Sequence, residues 1–151
     1  MAEIKRILLA EDSEKDVELA LEALAEHHLA NDVMVVQDGE QALDYLYRRG
    51  EFAGNADTRP VLVLLDLKMP KVDGMEVLRQ IKADPELKRI PVVMMTSSRE
   101  ERDLVRSYDL GVNAYVVKPV KFADFMESVK QLGVFWALIN EPPPGSGIKH
   151  V

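Results

Sequence analysis

The chain has 151 residues and a net charge of −7, from 19 basic and 26 acidic side chains, and 47% of its residues are hydrophobic. This length and apolar content fit one domain with its own core, while the acidic balance disfavours non-specific binding to nucleic acid or anionic membranes. No cysteine is present, which excludes disulfides, thiolate catalysis and thiolate metal sites.

The two ends of the chain carry different signals. The apolar run within "MAEIKRILLAED" is too short for the core of a signal peptide or for a membrane span, so a cytoplasmic protein is expected. The domain is predicted to cover residues 1–140. The segment 141–151 contains three prolines at positions 142–144, which cannot continue a helix, and is predicted to be a flexible tail.

Five short apolar runs alternate with longer segments in which apolar residues recur every three or four positions. This alternation predicts repeated βαβ units. The predicted strands cover residues 4–10, 33–36, 61–65, 91–96 and 114–117. The first, third and fourth show little polar alternation, which is typical of parallel strands covered by helices on both faces. The predicted fold is therefore an α/β doubly wound parallel sheet.

A helix is predicted after each of the five strands. The first covers residues 14–29 after the cap Ser13, the second follows the cap Asp38, the third and fourth have the capping-box pairs Asp73–Glu76 and Ser98–Glu101, and the fifth begins near Phe122.

Polar residues end or follow four of the predicted strands. They are Glu11 and Asp12 after the first, Asp66 after the third, Thr96 at the end of the fourth and Lys118 after the fifth. One such acid alone would more often be a helix cap or turn former. No predicted helix starts directly behind Asp66, however, and the carboxyl ends of parallel strands meet at one edge of the sheet. A functional site is therefore predicted there.

The residue types indicate phosphoryl chemistry. Three carboxylates in one crevice repel one another, so either a pKa rises or a cation binds between them. Oxygen ligands without cysteine or histidine suit a hard ion such as Mg²⁺, and a carboxylate beside Mg²⁺ can act as a nucleophile toward phosphorus. Lys118 and Thr96 would supply donors to the phosphoryl oxygens.

The motifs that hold these residues resemble the receiver domain of two-component response regulators, of the CheY-like type, over residues 4–132. They are "EDS", "LLDLKMPKVDG", "VVMMTSS" and "GVNAYVVKP". The spacing also matches that family, with Thr96 30 residues after Asp66 and Lys118 22 residues after Thr96. The resemblance implies a flavodoxin-like sheet in the order 2-1-3-4-5 with five helices.

The resemblance also implies roles at the metal site. Asp66 would be the phosphoacceptor in a phosphorelay. Asp12 and Asp66 would bind Mg²⁺ directly, Glu11 would act through a water molecule, and the backbone carbonyl of Lys68 would be a third protein ligand.

A second set of implied roles concerns the switch. Thr96 would be the switch hydroxyl, Lys118 the phosphoryl-binding lysine and Tyr115 the switch aromatic. Tyr115 could equally be an aromatic residue that packs on the edge strand. The Lys118–Pro119 bond would be cis.

The resemblance extends to partners. The long connection "YRRGEFAGNADTRP", residues 47–60, is similar to that of single-domain regulators paired with phytochrome-type sensor kinases. A phosphohistidine on a sensor histidine kinase would be the donor, with the first helix, including Asp16, and the loop at 119–120 as its contact surface. No output domain is expected, so the output would be a contact with another protein.

The last turns of the fifth predicted helix are apolar nearly all round, with Val134, Phe135 and Leu138 away from the core stripe. Such a surface is normally covered. A homodimer through the predicted fourth helix, fifth strand and fifth helix is favoured, and the alternative is coverage by the chain's own tail.

Other function classes are weaker. A haloacid dehalogenase-like phosphatase would need a second acid two residues after its nucleophile, where this chain has Lys68. A nucleotide-binding protein would need a glycine-rich loop where this chain has acids. A receiver-like binding module that never turns over phosphate stays open. The protein is therefore expected not to be an enzyme, apart from catalysing its own phosphorylation and dephosphorylation.

Overall fold

The sheet of the computed structural model has five parallel strands in the order β2-β1-β3-β4-β5. The model describes residues 6–25, 33–54, 59–97 and 114–132. The strands are β1 (Ile7–Ala10), β2 (Val33–Val36), β3 (Leu62–Asp66), β4 (Val92–Thr96) and β5 (Tyr115–Val117). This topology confirms the predicted fold class and strand order.

Four α-helices lie within the described residues. They are α1 (Glu14–Ala25), α2 (Gly39–Tyr47), α3 (Gly74–Ala83) and α4 (Phe122–Leu132), with short 3-10 turns at Gly50–Phe52 and Leu87–Arg89. The helix predicted at Ser98, residues 26–29 of the first predicted helix and the tail 141–151 lie outside the described residues, so those predictions remain open. Helix α4 corresponds to the fifth predicted helix.

The predicted caps of the first three helices are confirmed. Each cap oxygen accepts the backbone N–H three residues later, at 3.3 Å for Ser13, 2.7 Å for Asp38 and 2.9 Å for Asp73. The third cap differs from a full capping box, because the carboxylate of Glu76 accepts from the side chain of Arg79 at 2.8 Å. A charge-assisted bond to a flexible guanidinium competes well with one to a neutral amide.

Both faces of the sheet are buried under helices. In β1, Ile7 and Leu9 face one core and Leu8 and Ala10 face the other, and all four side chains are at most 1% exposed. The first core is covered by α1 and α4, the second by α2 and α3. This two-sided burial explains the continuous apolar runs.

The strand bounds differ from the prediction at some ends. Strand β3 ends at Asp66, one residue later than predicted, because Asp66 pairs with Met95 and the N–H of Leu67 still donates to the Met95 carbonyl at 3.0 Å. Strand β4 begins at Val92 instead of Pro91, since proline has no N–H to give to the ladder. The backbone of Asp66 is therefore part of the ladder and not of a loop.

The loop after β3 is held by two glycines at the starts of neighbouring helices. The N–H of Gly74 donates to the carbonyl of Leu67 at 2.9 Å, and a Cβ atom at Gly74 would overlap the carbonyl oxygen of Asp66. A Cβ atom at Gly39 would likewise overlap the carbonyl oxygen of Val72. Both helices thus start against the loop that follows Asp66.

None of the helices in the described ranges is both long enough and apolar enough to cross a membrane.

Replacing Gly74 by alanine tests this close approach. Helix propensity alone predicts a gain in stability, since alanine is favoured over glycine in helices. We expect Gly74→Ala instead to lower the free energy of unfolding by about 1–3 kcal/mol, the usual cost of overpacking, because the new methyl group meets backbone that cannot rotate away. Urea denaturation measures the change.

Gly54→Ala is the matched control, because within the described part of the chain a Cβ atom there meets nothing within 4 Å. Its free energy of unfolding should stay within about 0.5 kcal/mol of the wild-type value. Equal stability of the two variants would contradict the packing described for Gly74.

Candidate functional site

Three acidic side chains meet at the carboxyl edge of the sheet. Glu11 follows β1 and is 1% exposed, Asp66 ends β3 and is 4% exposed, and Asp12 faces solvent. One carboxylate oxygen from each lies within 4.8 Å of the other two. The structure therefore brings together the three carboxylates that the sequence predicted at this edge.

The charge of Asp66 is disfavoured at this position. Burial and the nearby charge of Glu11 raise the pKa of Asp66 to about 7, although Lys118 opposes the shift. Water solvates a buried carboxylate poorly, and a second negative charge adds repulsion. The cluster therefore carries more negative charge than its surroundings stabilise, which favours binding of a cation between the carboxylates.

Lys118 reaches this cluster from the end of β5. Its Nζ lies 3.3 Å from Oδ1 of Asp66 and donates to Oε1 of Glu11 at 3.0 Å. The backbone N–H of Lys118 donates to the carbonyl of Thr96 at 2.7 Å. The Lys118–Pro119 bond is cis, as predicted. Burial lowers the pKa of Lys118, but the hydrogen bond to Glu11 and the charge of Asp66 outweigh this effect. The pKa is therefore raised overall, and the amine stays charged.

Thr96 ends β4, the strand next to that of Asp66, and its side chain is fully buried. Within the described residues its Oγ1 has no hydrogen-bond partner. Leaving a buried hydroxyl unpaired costs roughly 1–3 kcal/mol. An unpaired donor at the rim of the site is what an incoming ligand oxygen would satisfy.

Two other predicted residues occupy less informative positions. Tyr115 is half-buried on the edge strand and packs against the core under α2 and α3, while its carbonyl accepts from Oγ of Ser128 at 3.0 Å. Its packing fits both the edge-strand and the switch interpretations. Lys68 has an exposed side chain in the loop after Asp66, where its carbonyl remains a predicted ligand.

One side chain at the site was not predicted to belong to it. The Nζ of Lys118 also donates to Oδ2 of Asp16, in the first turn of α1, at 3.1 Å. The sequence predicted Asp16 only as part of the kinase contact surface on the first helix, and the helix dipole also favours an acid near a helix N-terminus. The two residues are 102 positions apart, so no local pattern could pair them.

Comparisons with known proteins agree with this geometry. The family model for the response regulator receiver domain matches residues 7–130. The response regulator Rcp1 of Synechocystis sp. is 42% identical over 132 residues, which cover 87% of this chain and 88% of Rcp1. Among solved structures, the bacteriophytochrome response regulator AtBRR is 57% identical, with a TM-score of 0.85 over 93% of this chain and 100% of that one.

The Mn²⁺-bound form of Rcp1 is 42% identical, with a TM-score of 0.71 over 88% of this chain and 94% of that one. These similarities extend over the sheet and all the strand ends that carry the site. The chain therefore belongs to the response regulator receiver domain family, the phosphoryl-accepting components of two-component signalling.

Proposed function

We propose that Asp66 is the phosphoacceptor of this receiver and takes its phosphoryl group from a phosphohistidine of a sensor histidine kinase. The observation that carries this proposal is the buried Asp66 carboxylate with Lys118 Nζ 3.3 Å away and the Glu11 and Asp12 carboxylates beside it. An oxygen of Asp66 forms a bond to phosphorus while the phosphorus–nitrogen bond breaks and the imidazole leaves with the electron pair.

A divalent cation suits the donor set of this site. The three carboxylate oxygens are hard ligands, and their separation of up to 4.8 Å can span a single ion. We assign Mg²⁺ to Asp12 and Asp66 directly, to Glu11 through water and to the Lys68 carbonyl. The bound ion would neutralise negative charge on the acceptor and on the phosphoryl oxygens. The Mn²⁺-bound structure of Rcp1 supports a metal site in this family.

Lys118 and Thr96 bind the phosphoryl oxygens in this proposal. Lys118 supplies a full positive charge that already faces the acceptor oxygen. Thr96 supplies a buried hydroxyl that lacks a partner within the described residues, so its bond to a phosphoryl oxygen displaces no existing hydrogen bond.

These two contacts supply nearly the free energy that a conformational switch needs. Charge-assisted hydrogen bonds contribute roughly 1.5–3 kcal/mol each, so the pair contributes about 3–6 kcal/mol. Moving a two-state equilibrium from 1:99 to 99:1 needs about 5.5 kcal/mol. In this proposal Thr96 moves toward the phosphoryl group and Tyr115 turns inward behind it.

Family membership rejects the haloacid dehalogenase alternative and makes this chain a signalling protein. We propose that its own chemistry is limited to phosphorylation and dephosphorylation of Asp66. A receiver that never turned over phosphate would have no use for a buried, cation-seeking cluster beside an unpaired hydroxyl. The complete set of residues therefore supports phosphoryl transfer over a pure binding role.

We further propose a phytochrome-type sensor kinase as the donor. The similarity to the bacteriophytochrome response regulator AtBRR supports this assignment, together with the long connection at residues 47–60. Since ATP is the ultimate phosphoryl source of a histidine kinase, the exchange is proposed to occur in the cytoplasm.

A homodimer is proposed through the predicted fourth helix, β5 and α4. Its support is the apolar character of the chain after α4, including Phe135, which lies outside the described residues. Burial of such side chains between two copies would be favourable at about 25 cal/mol for each Å² of apolar surface.

The acceptor assignment is tested by labelling with acetyl phosphate and mapping the acid-labile phosphate by borohydride trapping. We expect the wild type to be labelled at Asp66 only with Mg²⁺ present, and EDTA to abolish labelling. Asp66→Asn should take up no label, while the control Asp73→Asn, an exchange of one good helix cap for another, should label normally. Wild-type labelling of Asp66→Asn would refute the assignment.

The switch is tested by removing either phosphoryl contact. We expect Thr96→Ala and Lys118→Ala to be phosphorylated yet to lose a factor of about ten or more in the activation equilibrium, since each lacks a bond of roughly 1.5–3 kcal/mol. The backbone amide shift of Tyr115 in NMR spectra reports the conformation. The control Lys88→Ala, which removes an exposed lysine that has no contact with Asp66, should respond like the wild type. Full Tyr115 shifts in both site variants would contradict the switch.

The dimer is tested by light scattering at micromolar concentration. We expect the wild type to be dimeric and Phe135→Glu to be monomeric, because a charge within an apolar interface loses its hydration. Lys88→Glu, an exposed change outside the predicted fourth helix, β5 and α4, serves as the control and should stay dimeric. A monomeric wild type would overturn the proposal.

A further inference from the structure

The ammonium group of Lys118 contacts three carboxylates, which come from three different elements. Glu11 lies 3.0 Å from Nζ, Asp16 lies 3.1 Å away and Asp66 lies 3.3 Å away. An ammonium group has three N–H bonds. Each of them therefore has a carboxylate to face, and one of those carboxylates belongs to helix α1.

The three carboxylates are not equivalent when ligands arrive. Glu11 and Asp66 belong to the group whose oxygens can hold a cation, whereas Asp16 does not. A bound cation competes with Lys118 for Glu11 and Asp66, and phosphorylation of an Asp66 oxygen turns that carboxylate into an acyl phosphate, so the side-chain carbonyl no longer carries a negative charge. Asp16 is the one partner of the three that keeps an unchanged acceptor for the lysine.

Asp16 is itself held in place by the start of α1. Its backbone N–H donates to Oγ of Ser13 at 3.3 Å, and the N–H of Ser13 donates to Oε2 of Glu11 at 3.0 Å. The contacts thus form a closed ring from Glu11 through Ser13 and Asp16 to Lys118 and back to Glu11. Asp16 lies in the first turn of α1, and the backbone N–H of Lys118 donates to the carbonyl of Thr96, so both ends of the Lys118–Asp16 bond have a bonded backbone.

We propose that Asp16 is a positioning residue that holds the Lys118 ammonium over the acceptor while the cation and the phosphoryl group bind. The lysine side chain is long and flexible, so without this anchor its charge would spread over many rotamers. With one N–H fixed on Asp16, the other two point into the site. This inference rests on the proposed role of Lys118 and assigns no contact with phosphorus to Asp16.

The first measurement is the initial rate of labelling by acetyl phosphate at saturating Mg²⁺. We expect Asp16→Ala to label about three- to tenfold more slowly than the wild type, as for loss of one partly exposed charge-assisted contact. Asp16→Asn should recover most of the rate, because its amide oxygen still accepts from Lys118.

The control is Asp44→Ala, which removes an aspartate on α2 that has similar exposure, 24% against 28%, and that forms an ion pair with Arg49. We expect its labelling rate to equal that of the wild type. Wild-type rates in both Asp16 variants would overturn the proposal, as would equal loss in Asp16→Ala and Asp44→Ala.

A double-mutant cycle shows whether Asp16 acts through Lys118. We expect Asp16→Ala to have no further effect in the Lys118→Ala background, and Mg²⁺ affinity to change by less than about twofold. Additive rate losses, or a fall in Mg²⁺ affinity that matches the rate loss, would overturn the positioning role.

The same data separate this inference from the proposed function. An unlabelled wild type would refute the proposed phosphoryl-accepting function of the site. The proposed role of Lys118 would be refuted if Lys118→Ala were labelled at the wild-type rate and showed the full Tyr115 shift after phosphorylation. A labelled wild type with a slow Lys118→Ala and unaffected Asp16 variants would refute only the inference about Asp16.

Discussion

One ammonium group offsets only part of the negative charge at the carboxyl edge of this sheet. Lys118 lies within 3.3 Å of Glu11, Asp16 and Asp66, and two of those three carboxylates are almost fully buried. Burial and the nearby charge of Glu11 raise the pKa of Asp66 to about 7 even though Lys118 opposes the shift. The site is therefore built to gain a cation, and the family's phosphoryl chemistry uses that deficit.

The sheet makes this charged arrangement possible by fixing the backbone beneath it. Asp66 is paired with Met95 in the ladder, and the next amide, from Leu67, is bonded as well. Helix α3 then starts so close that only glycine fits at position 74. A carboxylate on a free loop could move toward water, whereas the ladder holds Asp66 in its buried position. The negative charge of Asp66 therefore stays beside Glu11 and Lys118.

The buried hydroxyl of Thr96 is a second unfavourable feature of the site, because it has no hydrogen-bond partner within the described residues. Its burial without a partner in the described residues costs stability, and a phosphoryl oxygen would remove that cost. Lys118 and Thr96 are linked through the backbone, because the N–H of Lys118 donates to the Thr96 carbonyl at 2.7 Å. A ligand that draws in one of them would therefore act on the neighbouring strand too, which is the physical route by which β5 and Tyr115 would take part in the proposed switch.

The sequence by itself determined the elements and the position of the site. Apolar runs located the strands, and the caps at Ser13, Asp38 and Asp73 located three helix starts, because periodicity and capping depend on residues close in the chain. The acids could be placed together because the carboxyl ends of parallel strands meet at one edge of the sheet. Tertiary structure alone decided that Asp16 holds Lys118, that Thr96 lacks a described partner and that β3 extends to Asp66. Those features depend on distances between side chains that are remote in the chain, and only packing of the helices onto the sheet sets such distances.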